Sequence, residues 1–314
     1  MRDELLLRIH CISLTGILSR HRIRNRISQK VLRRLVRRKN LSLHLLAEDG
    51  KRSFEGDMEN VVALAAEVCP SDERNGPNRD ILGLQKLLFG CPNLKSFSLG
   101  ITGGYGGCVV YRHIYDRVDA FQFSGDETFP PLEELSLSGY RLREDEWEHW
   151  QELLQWSKLR SLTLGPRWQA DFLELAEGYA TSLQNLTVEV YTDADERAVC
   201  PQLEEFLESF SSLESLTVKG YVVPLTPVSY HPGLKHLCLH SFTRGSSEKP
   251  RHAYSVKKLQ KLDNICPLLE TLELDLNRDG EWVSMIANFH WWKSKADKDA
   301  IIARGISQNS CDGV

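Results

Sequence analysis

Toward the C-terminal end of the chain runs Cys266-Pro267-Leu268-Leu269-Glu270-Thr271-Leu272-Glu273-Leu274, a Cys-Pro turn followed by the pattern L-x-x-L-x-L at Leu269, Leu272 and Leu274. Six further copies precede it: Leu94-Phe97-Leu99, Leu132-Leu135-Leu137, Leu159-Leu162-Leu164, Leu183-Leu186-Val188, Leu213-Leu216-Val218 and Leu234-Leu237-Leu239. Their starts are spaced by 38, 27, 24, 30, 21 and 35 residues. Such spacing predicts a stack of repeated units with insertions of variable length, not one compact sheet around a single cleft. Stacked units of this kind usually present a binding surface.

A second column lies three residues before each start: Cys91, Phe129, Trp156, Ala180, Phe210, His231 and Cys266. Six of these side chains suit a buried turn, and His231 is the exception. Pro follows at positions 92, 130, 232 and 267, where it stops a helix and frees the next residues to extend. Apolar residues at helical spacing lie between the copies: Leu84, Leu87 and Leu88; Trp147, Trp150 and Leu154; Phe172, Leu175, Ala176 and Tyr179; Leu203, Phe206, Leu207 and Phe210; and Val256, Leu259 and Leu262. Between Val218 and Leu234 the unit is short and carries Pro224 and Pro227, so no full helix is expected there. The order of strand, loop, helix and strand predicts an α/β solenoid with parallel strands on the concave face and helices on the convex face.

These repeats resemble the ribonuclease-inhibitor-like class of leucine-rich repeats, and the C-P-x-L turns are similar to those of fungal F-box proteins. The stretch Cys266 to Leu274, with the helix expected over Lys257 to Ile265, carries most of the likeness, which spans roughly residues 80 to 288. The resemblance implies that the repeats select a substrate protein for a ubiquitin ligase, while a separate N-terminal box docks on a Skp-type adaptor. Before residue 80 the Leu-Pro opening of such a box is absent. The chain is therefore read as a truncated or box-less relative, and an adaptor contact is not expected.

No run approaches the roughly 18 apolar residues of a membrane span, and no signal peptide is visible. Eight scattered cysteines without a C-x-x-C pair point to reduced thiols and an intracellular setting, cytoplasmic or nuclear. Residues 1 to 40 hold 12 Lys/Arg against Asp3 and Glu4, a net +10, leaving 27 basic and 41 acidic residues, a net −14, in the rest. From Arg20 to Lys39, Ile23, Ile27, Val31 and Leu35 recur every four residues, which predicts a basic amphipathic helix. A cap on the first repeat is its favoured role. Electrostatic attraction to a nucleic acid or membrane surface is the alternative; nucleic acid is not the expected partner, because no aromatic platform is interleaved with the charges. Asp3 and Glu4 argue against an organelle transit peptide.

Four segments follow: a basic N-terminal segment (1–40), a degenerate repeat or cap (41–80), the leucine-rich-repeat domain (81–288) and a C-terminal tail (289–314). In the second, Leu41, Leu43 and Leu45 alternate as in a strand, and Val61 to Val68 is expected to be the following helix. The Gly-rich insertion from Gly100 to Val118 reads as a connector, since no helix or Gly-Lys-Ser/Thr ending follows to make a phosphate loop. After Leu274 the pattern of another helix, Glu281 to Phe289, has no strand behind it, so a shortened repeat array is expected in preference to a folded-back cap.

None of the common catalytic motifs is present, and Glu144 and Glu146 are expected to offset a helix dipole. The expected function is a non-enzymatic protein-protein interaction module, with no catalytic residue, no cofactor and no metal. Because strand side chains alternate, three columns should face outward, the middle one reading Ser98, Ser136, Thr163, Thr187, Thr217, Cys238 and Glu273. A protein partner on the concave face is expected to contact Glu134, Asn185, Glu189, Lys219, His236, His240, Glu273 and Asp275, with Tyr140 and Tyr221 as loop anchors. The alternative is a small zinc or thiol site around His236, Cys238 and His240, with Glu273 and Asp275 on the neighbouring strand, since alternate strand residues about 7 Å apart can share a metal.

Overall fold

The computed structural model describes residues 11–13, 41–46, 58–68, 79–101, 120–125, 127–167, 169–190, 193–220, 223–240, 254, 261–262 and 264–274. It divides into two compact units, Met1–Ser182 and Leu183–Val314. The basic helix expected over Arg20 to Lys39, most of the Gly-rich insertion, Tyr221, Asp275 and the tail lie outside the described residues.

In the first unit six strands pair in chain order, every pairing parallel: β1 (Cys11–Ser13), β2 (Leu41–Leu46), β3 (Val61–Val68), β4 (Ser96–Ile101), β5 (Glu134–Ser138) and β6 (Ser161–Leu164). Among the described residues α1 (Arg79–Phe89) lies between β3 and β4, α2 (Glu144–Leu153) and a 3₁₀ turn at Trp156–Lys158 lie between β5 and β6, and α3 (Gln169–Ala176) follows β6. The second unit has β7 (Asn185–Glu189), β8 (Ser215–Lys219), β9 (His236–His240) and β10 (Thr271–Leu274), again parallel, with α4 (Asp193–Glu208) and α5 (Leu225–Val228). Among the described residues of the Pro-rich unit between Val218 and Leu234, the single turn of α5 is the helix that forms, in line with Pro224 and Pro227.

Strand register follows the leucines. Phe97 pairs with Leu135 and Leu135 with Leu162; in the second unit Leu186 pairs with Leu216, Leu216 with Leu237, and Leu237 with Leu272. All seven are buried. Their burial is what pins the pairing, because a one-residue slip would turn every leucine to the opposite face.

The turn column is buried at all seven positions, His231 included. At Cys91, Trp156, His231 and Cys266 the residue's carbonyl accepts from the N–H of the first leucine three positions on, at 3.0–3.1 Å, which closes the turn that redirects the chain into a strand. One residue after that leucine a backbone ladder joins successive repeats. Lys95 N–H donates to Val62 O at 2.9 Å, Glu133 to Lys95 O and Arg160 to Glu133 O at 2.7 Å; Lys235 donates to Glu214 O at 2.8 Å and Glu270 to Lys235 O at 2.7 Å.

Two expectations need correction. Val61–Val68 is a strand, not a helix: it pairs with β2 and β4, its Leu64 opposite Phe97 and its Ala66 opposite Leu99. Ala, Leu and Glu favour a helix locally, but two ladders of backbone bonds and burial of Val61, Leu64, Ala66 and Val68 outweigh a preference worth tenths of a kcal/mol per residue. Val61-Leu64-Ala66 is in fact a further copy of the repeat pattern, with Met58 as its buried turn residue and a Val61 N–H to Met58 O bond of 3.0 Å. Tyr179, assigned by its spacing to an apolar helix face, lies beyond the end of α3 and is 47% exposed.

Candidate functional site

Alternation along the strands from β3 to β10 leaves the residues between the buried apolar positions half-buried or exposed. In the first unit this outward set is mostly small and hydroxylated: Ser96 and Ser98, Glu134, Ser136 and Ser138, Ser161 and Thr163. Glu134 opens β5 and is exposed. The third outward column closes at Gly165, which is buried; a Cβ there would come within 2.5 Å of Ser138 Oγ and 2.6 Å of its Cβ, so only glycine fits this approach.

The second unit carries the richer chemistry. Asn185 and His236 open their strands and are exposed. Glu189 and Lys219 end β7 and β8 opposite one another and form an ion pair at 2.8 Å. His236 Nδ1 lies 2.6 Å from Thr271 Oγ1, the residue paired with it on β10. Cys238 faces Glu273 across the same pairing, with Sγ 3.7 Å from Glu273 Oε2. His240 Nε2 is 3.6 Å from that same oxygen. Ligand-capable atoms of Cys238, His240 and Glu273 all lie within 4.8 Å of one another.

The sequence therefore grouped part of this cluster correctly and part not. Cys238, His240 and Glu273 converge, whereas His236, two residues back along β9, is taken by Thr271. Asp275 falls outside the described residues. Tyr140, expected to be a loop anchor for a partner, is buried, and its hydroxyl donates to Glu146.

Glu146 is a polar centre that the helix-dipole reading missed. It sits in the first turn of α2 but is 1% exposed. One carboxylate oxygen accepts from the Tyr140 hydroxyl and from Phe121 N–H at 2.8 Å; the other accepts from Arg143 N–H at 3.1 Å. Burial pushes its pKa up to about 7 in spite of these donors, which act in the opposite direction. The segment at Phe121 to Phe123 is held further by the Gln85 side chain, which accepts from Gln122 N–H at 2.8 Å and donates to Gln122 O at 2.5 Å. Aromatic rings complete the seat: Phe121 stacks on Trp150 at 5.8 Å, and Phe123 on His149 at 4.9 Å. The segment that follows the Gly-rich insertion is thus anchored to the core through Phe121 and Gln122.

A column of alternating charge runs beside the leucines. Immediately after the first leucine of each repeat stand Lys95, Glu133 and Arg160 in the first unit and Gln184, Glu214, Lys235 and Glu270 in the second. Lys95 pairs with Glu133 and Lys235 with Glu214, each at 2.7 Å. Glu214, followed by Glu270, holds the Lys235 ammonium above its ordinary pKa.

Compared with known proteins, the chain matches no family model and no curated protein. Among the described residues no helix is long and apolar enough to cross a membrane.

Proposed function

We propose that the chain is a leucine-rich-repeat interaction protein whose outward strand columns hold a protein partner, related in role to the substrate-recognising repeats of F-box receptors and without a reaction of its own. The observation that supports this reading most is the phase of the repeats: from β3 to β10 the inward positions are apolar and buried, and the outward flanking positions differ from repeat to repeat. In the second unit the outward positions change from hydroxyls to Asn185, the Glu189–Lys219 pair, His236 and the Cys238–His240–Glu273 cluster. A face of mixed polarity on a rigid sheet suits a protein surface, where a few well-placed groups fix the register of binding. Cys91, Cys200, Cys238 and Cys266 form no disulfide with one another, in keeping with a reducing compartment such as the cytosol or nucleus.

The test compares partners captured by the full chain and by two charge reversals in the same unit. Lys219→Glu alters the outward face; Glu205→Lys alters an exposed position of α4. A partner lost with Lys219→Glu and kept with Glu205→Lys, both variants retaining the wild-type circular dichroism spectrum, supports the reading. Loss confined to the helix variant would move the binding surface to the other side of the unit.

A further inference from the structure

We propose that Cys238, His240 and Glu273 form a three-ligand site for a zinc ion on the outward face of β9 and β10, with the fourth coordination position open. Geometry is the first ground. Tetrahedral zinc with bonds of about 2.3 Å to sulfur and about 2.0–2.1 Å to nitrogen and oxygen requires ligand atoms roughly 3.3–3.6 Å apart. Glu273 Oε2 is 3.7 Å from Cys238 Sγ and 3.6 Å from His240 Nε2. Two of the three edges thus stand within a few tenths of an ångström of the bound geometry, and the third is at most 4.8 Å.

Placement on rigid strands is the second ground. Cys238 and Glu273 are direct partners across the β9–β10 pairing, and His240 lies two residues further along β9 on the same face. All three are half-buried, so the site is shielded without being closed. Side chains on paired strands need little ordering to converge, which lowers the entropic cost of assembling the ligands.

The donor set is the third ground. In the middle outward column the earlier repeats carry Ser98, Ser136, Thr163, Thr187 and Thr217, hydroxyls that suit a half-wet sheet. The hydroxyl gives way to a thiol and then a carboxylate at the two consecutive strands β9 and β10, and an imidazole stands beside the thiol. Thiolate, imidazole and carboxylate together favour a borderline-soft ion such as zinc over calcium or magnesium, which take oxygen sets. The neighbouring cation is accounted for: Lys219, opposite His240 on β8, directs its ammonium to Glu189 at 2.8 Å. Binding deprotonates the Cys238 thiol, whose proton is released to solvent, and the sulfur forms the bond to the metal.

The inference is independent of the partner-binding reading and has its own test. The chelator-treated full chain is titrated with Co²⁺, an optical stand-in for Zn²⁺, and the cobalt is then displaced with Zn²⁺. The expected result is one equivalent of tetrahedral cobalt with a thiolate-to-metal charge-transfer band. Cys238→Ser should abolish that band, and His240→Ala and Glu273→Gln should each weaken binding by at least about tenfold, the scale on which even outer-sphere changes act. His236→Ala should leave band and affinity unchanged, because the group whose ligand atoms converge within 4.8 Å is Cys238, His240 and Glu273. Absence of the charge-transfer band in the wild-type chain would overturn the proposal. So would a band that survives in Cys238→Ser, or equal binding by His240→Ala and wild type.

Discussion

Replacing Glu146 by Gln should reverse the sign of its contribution across neutral pH. In the unfolded chain this carboxyl titrates near its ordinary 4.5, and in the folded chain burial raises it to about 7. The folded state therefore binds the proton more tightly. The stability contributed by Glu146 is fully present below about pH 4.5 and is lost as pH rises through about 7. Each tenfold difference in proton affinity is worth about 1.4 kcal/mol, so the loss across this window amounts to ~3 kcal/mol. Gln keeps the shape and the acceptor for Phe121 N–H and the Tyr140 hydroxyl, and gives up the acceptor for Arg143 N–H, a cost of about 1 kcal/mol. At low pH the variant should be slightly less stable than wild type. Above neutrality it should be more stable by ~2 kcal/mol, because it no longer buries a charge.

Urea unfolding of both proteins at a series of pH values from about 4 to about 8 measures the difference directly. Taking the difference removes the other titrating groups. Parallel stability curves, with the variant displaced by a constant amount, would refute the argument that desolvation outweighs the three donors at this carboxyl.

Three further outcomes are expected. Leu186→Ala, in the middle of a fully buried column, should cost roughly 2–5 kcal/mol, and an unchanged melting curve would contradict the strand register. Gly165→Ala should destabilise by about 1–3 kcal/mol, since the new methyl meets Ser138; adding Ser138→Gly should recover part of that loss, and a double variant no better than the single one would show that the contact with Ser138 is not the cause. His231, with its ring 5.0 Å from Phe210, has its pKa lowered by burial to about 4, against weak opposing effects of the Leu207 and Ser211 backbone that do not reach hydrogen-bonding geometry. Its stability contribution is present above about 6.5 and lost as pH falls through about 4, so His231→Phe should become more stable relative to wild type as the solution is acidified, measured by thermal melts.

The parallel strands and their register were legible because leucine spacing reports the inward face directly: each strand from β4 to β10 lies where an L-x-x-L-x-L copy stands. β3 escaped because its copy reads Val61-Leu64-Ala66, and an alanine-rich strand looks helical until the ladders on both sides are known. The Glu146 seat escaped for a different reason. Its partners Tyr140, Phe121 and Arg143 lie on separate turns and an insertion, and nothing in their spacing announces that they meet. The proposed zinc ligands are half legible: Cys238 and His240 share a strand and a face, but that Glu273 stands opposite Cys238 follows only from the β9–β10 register. The alternating charges stand in the sequence beside the leucines, but that Lys95 meets Glu133 and Lys235 meets Glu214 follows only from the pairing of the strands.

That charged column bears on how a repeat protein keeps its order. The leucines supply most of the stability, yet they are nearly the same in every repeat, so they distinguish poorly between correct neighbours and neighbours reached by looping one repeat out. Phe97 against Leu162, or Leu216 against Leu272, would pack almost as well as the native pairs. The polar positions do distinguish. Looping out β5 would set Lys95 beside Arg160 where Glu133 belongs, and looping out β9 would set Glu214 beside Glu270 where Lys235 belongs. Each such like-charge contact costs about 0.2–1 kcal/mol, little at these exposed sites. The buried groups add more, because Glu146 without Phe121 and Tyr140, or Gln85 without Gln122, would leave hydrogen-bonding atoms unpaired at about 1–3 kcal/mol each. A looped-out repeat would also forfeit the burial of its own leucines, such as Leu132, Leu135 and Leu137 of the β5 repeat, at about 1.5–3 kcal/mol each, so the polar positions add to a choice of neighbour that the apolar core already favours.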